Sequence, residues 1–316
     1  MNLLVTGGCG FIGSNFIHYV IKKNCIKKLI NFDCLSYAAD LDNVHEIEKN
    51  PKYALVKGDL KNFSHIFDAI YKNDISHVVH LAAETHVDNS IMAPDVFIES
   101  NIVGTFNLLK VARDLNLKRL HHVSTDEVYG ELKEKGKFKE TTPYDPRNPY
   151  AASKASADFL VRSYVNTYNL PATISNCSNN YGPRQHKEKL IPTIINSVLN
   201  GNKVPVYGKG LNIRDWIYVE DHCRALWKIL KKGKIGETYN VGADNEKKNI
   251  DIVKTICKVL NTSPKEHIEY VEDRAGHDFR YAIDNSKIKE ELKWYPKHNF
   301  KKAIKKTVKW YKSECK

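Results

Sequence analysis

The chain has 316 residues, of which 42% are hydrophobic and 27% charged, and its formal net charge is +12. This length and balance are typical of a soluble globular protein with a large core, and no apolar run approaches the roughly 18 residues of a membrane helix. The basic charge suits anionic ligands, but no nucleic-acid-binding motif is present, so we expect neither a nucleic-acid nor a membrane partner.

A glycine-rich turn follows the first apolar run of the chain, residues 3–6. It contains Gly7, Gly10 and Gly13 and leads into a helical pattern over residues 14–21. A strand, a glycine turn and a helix in this order are typical of a dinucleotide-binding unit, in which the backbone approaches a pyrophosphate at the helix N-terminus. We therefore predict a dinucleotide site at this turn.

Acidic residues end the next two predicted strands. Asp33 ends the strand at residues 28–33, where a carboxylate suits a ribose 2′-hydroxyl and repels a 2′-phosphate. The sequence therefore favours NAD over NADP as the cofactor. Asp59 and Leu60, at the end of a strand predicted over residues 53–59, are expected to flank the adenine.

Strands and helices alternate through the first half of the chain. Further strands are predicted at residues 77–83, 119–123 and 171–175, and helices at about 63–72 and 95–115. This alternation predicts an α/β fold with a doubly wound parallel sheet of the Rossmann type. Right-handed crossovers place the loops after the strands at one edge of such a sheet, where ligands bind.

A candidate catalytic group lies at this edge. Thr125, Asp126 and Glu127 follow a buried strand, and Tyr150 and Lys154 begin a helix that runs to about residue 168. Residues four apart share a helix face, so the lysine ammonium is expected to lower the pKa of the tyrosine. Two carboxyl groups in one cleft tend to separate into an acid and a base. The sequence thus predicts a site with three proton-handling groups.

The second half of the chain has shorter elements, with glycine, proline and basic residues interleaved. We expect a NAD-binding domain with the catalytic residues over 1–175. A smaller C-terminal α/β substrate lobe is expected over 176–316, with some chain returning to the first domain. Residues 204–208 and 212–216 are predicted as loops, and residues 287–316 as a solvated amphipathic helix.

Cations and one aromatic residue in this half suit a nucleoside diphosphate. Lys189, Arg214 and Arg274 are candidates for a diphosphate clamp, because a diphosphate needs several cations and suits bidentate arginine. Tyr207 is a candidate for stacking on a base. We therefore expect a nucleotide-linked substrate in this lobe.

Seven cysteines are scattered through the chain without a C-x-x-C pair. An odd, dispersed set favours reduced thiols over a disulfide framework or a zinc site. The N-terminal residues lead directly into a strand, so we expect no secretory signal. These features predict a cytoplasmic protein with no bound metal ion.

Several of these motifs together resemble a known family. Residues 7–284 are similar to the extended short-chain dehydrogenase/reductases and, within them, to the nucleotide-sugar 4,6-dehydratases of the dTDP-glucose 4,6-dehydratase type. Thr125-Asp126-Glu127 is the specific element, since the sugar epimerases of the superfamily usually lack this carboxylate pair. The motifs lie at residues 7–13, 81–88, 101–104, 124–127, 150–154, 178–183, 214–216 and 276–278.

The resemblance implies a chemical role for each catalytic residue. Tyr150, held as phenolate by Lys154, takes the sugar C4 hydroxyl proton while the C4 hydride goes to NAD⁺, and Thr125 hydrogen-bonds O4. Glu127 removes the C5 proton, and Asp126 protonates the departing C6 hydroxyl. The hydride then returns to C6, which gives a 4-keto-6-deoxy sugar nucleotide and regenerates NAD.

The resemblance also implies binding residues and a homodimer that packs the helices at about 95–115 and 150–169. The expected NAD contacts are Gly7, Gly10, Phe11, Ile12, Gly13, Asp33, Asp59, Leu60, Leu81, Ala82, Ala83, Thr85, Ser100, Tyr150, Lys154 and Asn180. The expected substrate contacts are Thr85, Thr125, Asn179, Lys189, Leu190, Pro205, Tyr207, Arg214, Asn249, Arg274 and His277.

The sequence departs from the family pattern near the substrate. Ala275 stands where the family usually has proline, and Phe279 and Asn89 stand where arginine is usual; residues 184–189 are more charged than usual. These positions leave open thymine or uracil as the base, hydroxyl or acetamido at C2, and retention or inversion at C5. The alternatives are a UDP-N-acetylglucosamine 4,6-dehydratase, with or without C5 epimerisation, and a catalytically silent NAD-binding scaffold.

Overall fold

A parallel sheet forms the centre of the molecule. The structure is a computed structural model, which describes residues 1–273 and 277–314. The strands of the central sheet are β1 (Asn2–Thr6), β2 (Lys28–Asp33), β3 (Tyr53–Lys57), β4 (His77–His80), β5 (Arg119–Thr125), β6 (Ala172–Cys177) and β10 (Thr238–Val241). Their order across the sheet is β10-β6-β5-β4-β1-β2-β3, in which β1 to β6 follow the Rossmann order.

The sheet is covered on both faces, which explains why its strands are continuous apolar runs. Leu3, Leu4 and Val5 of β1 are almost fully buried, as expected for parallel strands between two helix layers. The predicted doubly wound α/β fold is confirmed. The helices of this part are α1 (Phe11–Val20), α2 (Phe63–Tyr71), α3 (Val87–Met92), α4 (Pro94–Phe97), α5 (Gly104–Asp114) and α6 (Pro149–Tyr168).

Local signals in the sequence set the two long helices. A π-helical segment, Ile98–Val103, joins α4 to α5, so the chain is helical from residue 94 to residue 114, close to the prediction. The side chain of Asn148 accepts a hydrogen bond from the amide of Ala151, and Pro149 occupies the first turn of α6. Both are typical N-terminal signals, and Asn169 ends the helix in the left-handed conformation.

The remaining chain forms smaller sheets with helices packed on them. Within the described ranges, β11, β9 and β7 form one small sheet, and β12 pairs with β8. The strands are β7 (Asn179–Tyr181), β8 (Val204–Tyr207), β9 (Ile213–Tyr218), β11 (Glu246–Lys248) and β12 (Ile268–Val271). The helices are α7 (Leu190–Leu199), α8 (Val219–Lys232), α9 (Asn249–Leu260), α10 (Pro264–His267), α11 (Ser286–Leu292) and α12 (Phe300–Glu314).

Two predictions for this half are wrong. Residues 204–208 and 212–216 were expected as loops, but they contribute the strands β8 and β9. Their partners are remote in sequence, with β12 beside β8 and β7 beside β9, so no local signal indicated the pairing. The domain boundary at residue 175 stays a prediction. Beyond it, β10 returns to the central sheet and pairs with β6.

The C-terminal stretch is also not one solvated helix. It forms α11 and α12, separated by a segment in which Trp294 is fully buried and donates its indole hydrogen bond to the Asp221 carbonyl. Lys293 ends α11 with a positive φ of 50°. A buried tryptophan at this position anchors the segment to α8.

In the described part of the chain, no helix is long and apolar enough to cross a membrane.

Candidate active site

A cleft at the carboxyl ends of β1, β2, β4, β5 and β6 collects the predicted catalytic and cofactor residues. The glycine turn after β1 forms its floor. Gly7 has a φ of 71°, and a Cβ there would come within 2.8 Å of the Ala82 backbone. A Cβ on Gly13 would come within 2.1 Å of the Gly7 carbonyl oxygen. The turn therefore requires glycine at both positions, which leaves backbone amides at the α1 N-terminus open to a pyrophosphate.

Asp33 lies beside this turn at the end of β2. One carboxylate oxygen accepts from the Cys9 amide at 2.9 Å, and the other accepts from the Leu35 amide at 2.8 Å. Burial raises the pKa of Asp33, while these two amide hydrogen bonds oppose the rise. The carboxylate is thus held rigidly at the position that suits a ribose hydroxyl.

Thr125, Asp126 and Glu127 lie where β5 turns into a 3₁₀ helix, Asp126–Tyr129. The Thr125 hydroxyl caps this helix by accepting from the Glu127 amide at 3.3 Å. Asp126 is 2% exposed, and among the described residues its Oδ2 atom has no hydrogen-bond partner. Burial, followed by the negative charge of Glu127, raises the pKa of Asp126 well above its usual value. Asp126 is therefore suited to donate a proton.

Tyr150 and Lys154 reach the same cleft from the first turns of α6. The Lys154 ammonium donates to the Val123 carbonyl at 2.8 Å. Burial, followed by the negative charge of Glu127, raises the pKa of Tyr150 well above its usual value. The prediction of a lowered tyrosine pKa is therefore wrong for the protein chain alone. The physical reason is that full burial beside two carboxyl groups favours the neutral phenol.

The cleft brings together the whole predicted catalytic group and all of the expected NAD contacts, from Gly7 to Asn180. Of the expected substrate contacts, Thr85, Thr125, Asn179 and Lys189 also line it. Arg274 lies outside the described residues. The expected substrate contacts that are described but do not line the cleft are Leu190, Pro205, Tyr207, Arg214, Asn249 and His277.

Arg214 is the clearest case among these. It is 5% exposed, and its guanidinium donates at 2.8 Å to the carbonyls of Ile213 and Asp278. It also packs over the Tyr281 ring at 4.1 Å. Arg214 thus binds protein backbone instead of facing open space, although its charge is close enough to lower the pKa of Asp126.

Several residues of the cleft wall were not predicted from the sequence. Cys177 ends β6 and Ser178 follows it, at the same edge of the sheet. The rule that strands present ligands at their carboxyl ends would have identified them. His186 and Glu188 also line the cleft, with the His186 Nδ1 atom 3.5 Å from a Glu188 carboxylate oxygen. The unusual charge of residues 184–189 indicated their loop, but the contact of these two side chains with the cleft depends on tertiary packing.

A glycine turn after β1 in a sheet of this order, with a tyrosine and a lysine one helical turn apart at the start of α6, defines an NAD-dependent protein of the short-chain dehydrogenase/reductase class. The family model described as GDP-mannose 4,6 dehydratase matches residues 4–307. The chain is 49% identical to the dTDP-glucose 4,6-dehydratase of Escherichia coli, over 98% of this chain and 92% of that protein.

Solved structures agree with this match. DesIV, a dTDP-glucose 4,6-dehydratase from Streptomyces venezuelae with NAD and TYD bound, is 39% identical with a TM-score of 0.96. The dTDP-glucose 4,6-dehydratase from Bacillus anthracis, in complex with NAD, is 46% identical with a TM-score of 0.92. Both alignments cover 99% of this chain and 97% of the other. The chain therefore belongs to the family of NAD-dependent nucleotide-sugar 4,6-dehydratases, and the resemblance seen in its motifs is confirmed.

Proposed function

We propose that this protein converts dTDP-glucose into its 4-keto-6-deoxy derivative by NAD-dependent loss of water. The observation that supports this most directly is that Asp126, Glu127 and Tyr150 share one cleft with the glycine turn. The thymidine nucleotide and the glucose are inferred from relatives that are 47% to 49% identical and carry the name dTDP-glucose 4,6-dehydratase. Bound NAD⁺ would supply a hydride acceptor for C4 and later a hydride donor for C6.

The residues of the cleft fit this cofactor. The turn at Gly7 and Gly13 has no space for a side chain, and Asp33 presents a fixed carboxylate beside it. These features suit a pyrophosphate and a ribose, respectively. Gly7, Gly13 and Asp33 would therefore hold the dinucleotide.

Tyr150 is assigned the first proton transfer. Its phenol is neutral in the protein chain alone, so it needs added positive charge before it can act as a base. Lys154, on the same helix face, supplies part of that charge, and an oxidised nicotinamide would supply the rest. With the base formed, Tyr150 takes the C4 hydroxyl proton as the C4 hydride leaves, and Thr125 holds O4.

Asp126 and Glu127 are assigned the elimination. Oxidation at C4 acidifies the C5 proton, which Glu127 removes, while Asp126 gives its proton to the C6 hydroxyl so that water departs. Glu127 then returns a proton to C5 as hydride reaches C6. Over one turnover, the proton gained by Tyr150 equals the proton lost by Asp126, so the enzyme is restored once solvent carries that proton between them.

The test is a product assay without added NAD. We would incubate the purified protein in D₂O with dTDP-glucose, UDP-glucose or UDP-N-acetylglucosamine separately, and follow each by proton NMR. The proposal expects dTDP-glucose to lose its C6 hydroxymethyl signal and form a deuterium-bearing 4-keto-6-deoxy product. Preference for either uridine nucleotide would overturn the substrate assignment. No turnover of any of the three by NAD-loaded protein would favour the silent scaffold.

A homodimer through α5 and α6 is part of the proposal. Large apolar side chains are exposed on these helices and on the segment that precedes α5, including Val103, Phe106, Phe159 and Tyr168. The Phe106 ring packs on Tyr164, and Tyr164 packs on Tyr168, so apolar groups of the two helices are contiguous. A continuous apolar face of this kind is typical of a protein interface.

Sedimentation equilibrium tests the dimer. We expect the wild type to sediment as a dimer and Phe106→Glu to sediment as a monomer, because a buried glutamate would be desolvated without a partner. Tyr270→Glu is the matched control, since Tyr270 is an exposed aromatic residue on β12, and it should leave the dimer intact. A monomeric wild type would overturn the proposal.

A cytoplasmic location is also proposed. It is supported by the cysteines of the described residues, which are free and are buried at Cys9, Cys177, Cys223 and Cys257. Unpaired thiols are typical of a reducing compartment. Fractionation of the source cells tests this, and recovery of the protein outside the cytoplasmic fraction would contradict it.

A further inference from the structure

A buried carboxylate lies directly behind the catalytic group. Asp158 is on α6, one helical turn beyond Lys154, and is fully buried. Its Oδ2 atom accepts from the Ser124 hydroxyl at 2.8 Å and from the Tyr144 hydroxyl at 3.0 Å. Ser124 immediately precedes Thr125, so Asp158 is tied to the loop that carries the catalytic carboxyl groups.

A carboxylate buried this deeply needs a compensating cation. His122 is close, with its Nε2 atom 3.2 Å from Asp158 Oδ1, but neither atom has a hydrogen-bond partner within the described residues. Burial and the charge of Lys154 lower the pKa of His122 well below its usual value, so its imidazole is neutral. His122 therefore does not compensate the charge of Asp158.

Lys154 is the better partner. Its charge lowers the pKa of Asp158 more than the charge of Arg162 does, and it opposes the rise that burial causes. In return, Asp158 is the strongest of the groups that raise the pKa of Lys154 against the lowering by burial. The two groups are four residues apart on α6 and hold neighbouring residues at the end of β5. The Lys154 ammonium donates to the Val123 carbonyl at 2.8 Å, and the Ser124 hydroxyl donates to Asp158 at 2.8 Å.

We propose that Asp158 is a positioning residue for the dehydration, whose charge keeps Lys154 protonated beside Tyr150 and whose hydrogen bond to Ser124 fixes the start of the catalytic loop. This inference rests on the proposed function, because it concerns the same site. Asp158 acts through Lys154 and Ser124 and does not line the cleft itself.

The expected pH dependence follows from the charges around the pair. A negative charge near an ammonium raises the pKa of that ammonium, so removal of the carboxylate charge lets Lys154 lose its proton at a lower pH. Activity that needs the ammonium should then fall at a lower pH on the alkaline side. The titratable and charged groups that face the pair come from every element around it: His80 from β4, His122 from β5, Tyr129 from the 3₁₀ helix after β5, Tyr144 from the loop before α6, Arg162 from α6 and Cys177 from β6.

The first experiment compares pH profiles of kcat for dTDP-glucose. Asp158→Asn should move the alkaline limb of the profile down by about one pH unit or more. Tyr144→Phe is the matched control, because it removes a hydrogen bond to Asp158 but keeps the charge, and it should leave that limb in place. A limb that stays in place in Asp158→Asn would overturn the inference, since a purely structural role lowers the melting temperature without moving the profile.

A second experiment tests the pairing of Asp158 with Lys154 even if Asp158→Asn alone does not fold. Lys154→Met leaves the Asp158 carboxylate buried without its cation, so Lys154→Met with Asp158→Asn should melt at a higher temperature than Lys154→Met alone. A lower melting temperature of the double variant would overturn the pairing. A wild type that does not turn over dTDP-glucose would overturn the proposed function, whereas this melting comparison would still test the pair.

Discussion

The two ends of the cleft differ in how the chain builds them. At the cofactor end, all of the expected NAD contacts line the cleft. At the substrate end, Tyr207, Arg214 and His277 lie outside it, and Arg214 is bound to the carbonyls of Asp278 and Phe279. The cofactor end is therefore formed in the chain by itself, whereas the predicted binding of a diphosphate by Arg214 would require a rearrangement of side chains at the substrate end.

The physical reason is the origin of the parts. The cofactor end is made by loops that directly follow the strands of one sheet, and their positions are fixed by the backbone hydrogen bonds of that sheet. The substrate end combines segments around β8, β9 and residue 277, which belong to the two small sheets and the loop near them. Sheets of two or three strands fix these segments with fewer backbone hydrogen bonds than the seven-stranded sheet provides, so we expect that a ligand can reorder their contacts.

The largest effect is expected at Tyr150, where the two ends meet. Tyr150→Phe removes the group that takes the C4 proton, and we expect turnover to fall by about 1,000-fold or more, with no NADH signal. Stopped-flow absorbance of NADH and an NMR product assay measure both. Tyr164→Phe, on the same helix but outside the cleft, should retain full activity. Near-normal turnover of Tyr150→Phe would contradict its role as the base.

The next largest effect is expected at Asp126. Asp126→Asn should slow loss of water by about 100-fold, because the departing hydroxyl no longer receives a proton, while NADH still forms. Glu127→Gln is the informative comparison. Exchange of the C5 hydrogen with D₂O should continue in Asp126→Asn and stop in Glu127→Gln. If Asp126→Asn instead blocks NADH formation and leaves elimination unchanged, the assignment of the acid is wrong.

A smaller effect, confined to the cofactor end, is expected at Asp33. Asp33→Asn removes a charged acceptor from the ribose site, and we expect the affinity for NAD to fall about tenfold. Calorimetry on protein stripped of NAD measures this, and the KM for the sugar nucleotide should be unchanged. Asp40→Asn, which alters a neighbouring helix cap outside the cleft, is the control. Equal loss of both affinities would show that the two ends are not independent.

The smallest effect is expected at the substrate end. Arg214→Lys keeps the positive charge but loses the forked donor geometry, so KM should rise about threefold to tenfold with NAD affinity unchanged. Arg224→Lys, whose side chain pairs with Asp221 away from the cleft, should leave KM unchanged. An unchanged KM in Arg214→Lys would mean that Arg214 stays on the carbonyls of Asp278 and Phe279 when substrate binds.

Part of this protein was predictable from the sequence because the signals are local. The glycine turn, the acid at the end of β2 and the Tyr150–Lys154 spacing each depend on residues that are close along the chain. Parallel strands then bring the ends of remote segments to one edge by a rule that holds for the whole fold class. Five predicted catalytic side chains from two segments could therefore be assigned to one cleft.

Tertiary structure decided the rest. Pairing of β8 with β12 and of β9 with β7 joins segments that are far apart in sequence, so residues 204–208 and 212–216 were wrongly predicted as loops. The prediction of a lowered pKa for Tyr150 was wrong for a related reason. Burial and the carboxyl groups of another segment raise this pKa, and they outweigh the lowering expected from a lysine one helical turn away. Spacing along the chain determined which groups meet, and only the packed structure determined how far each one is removed from water and which charges face it.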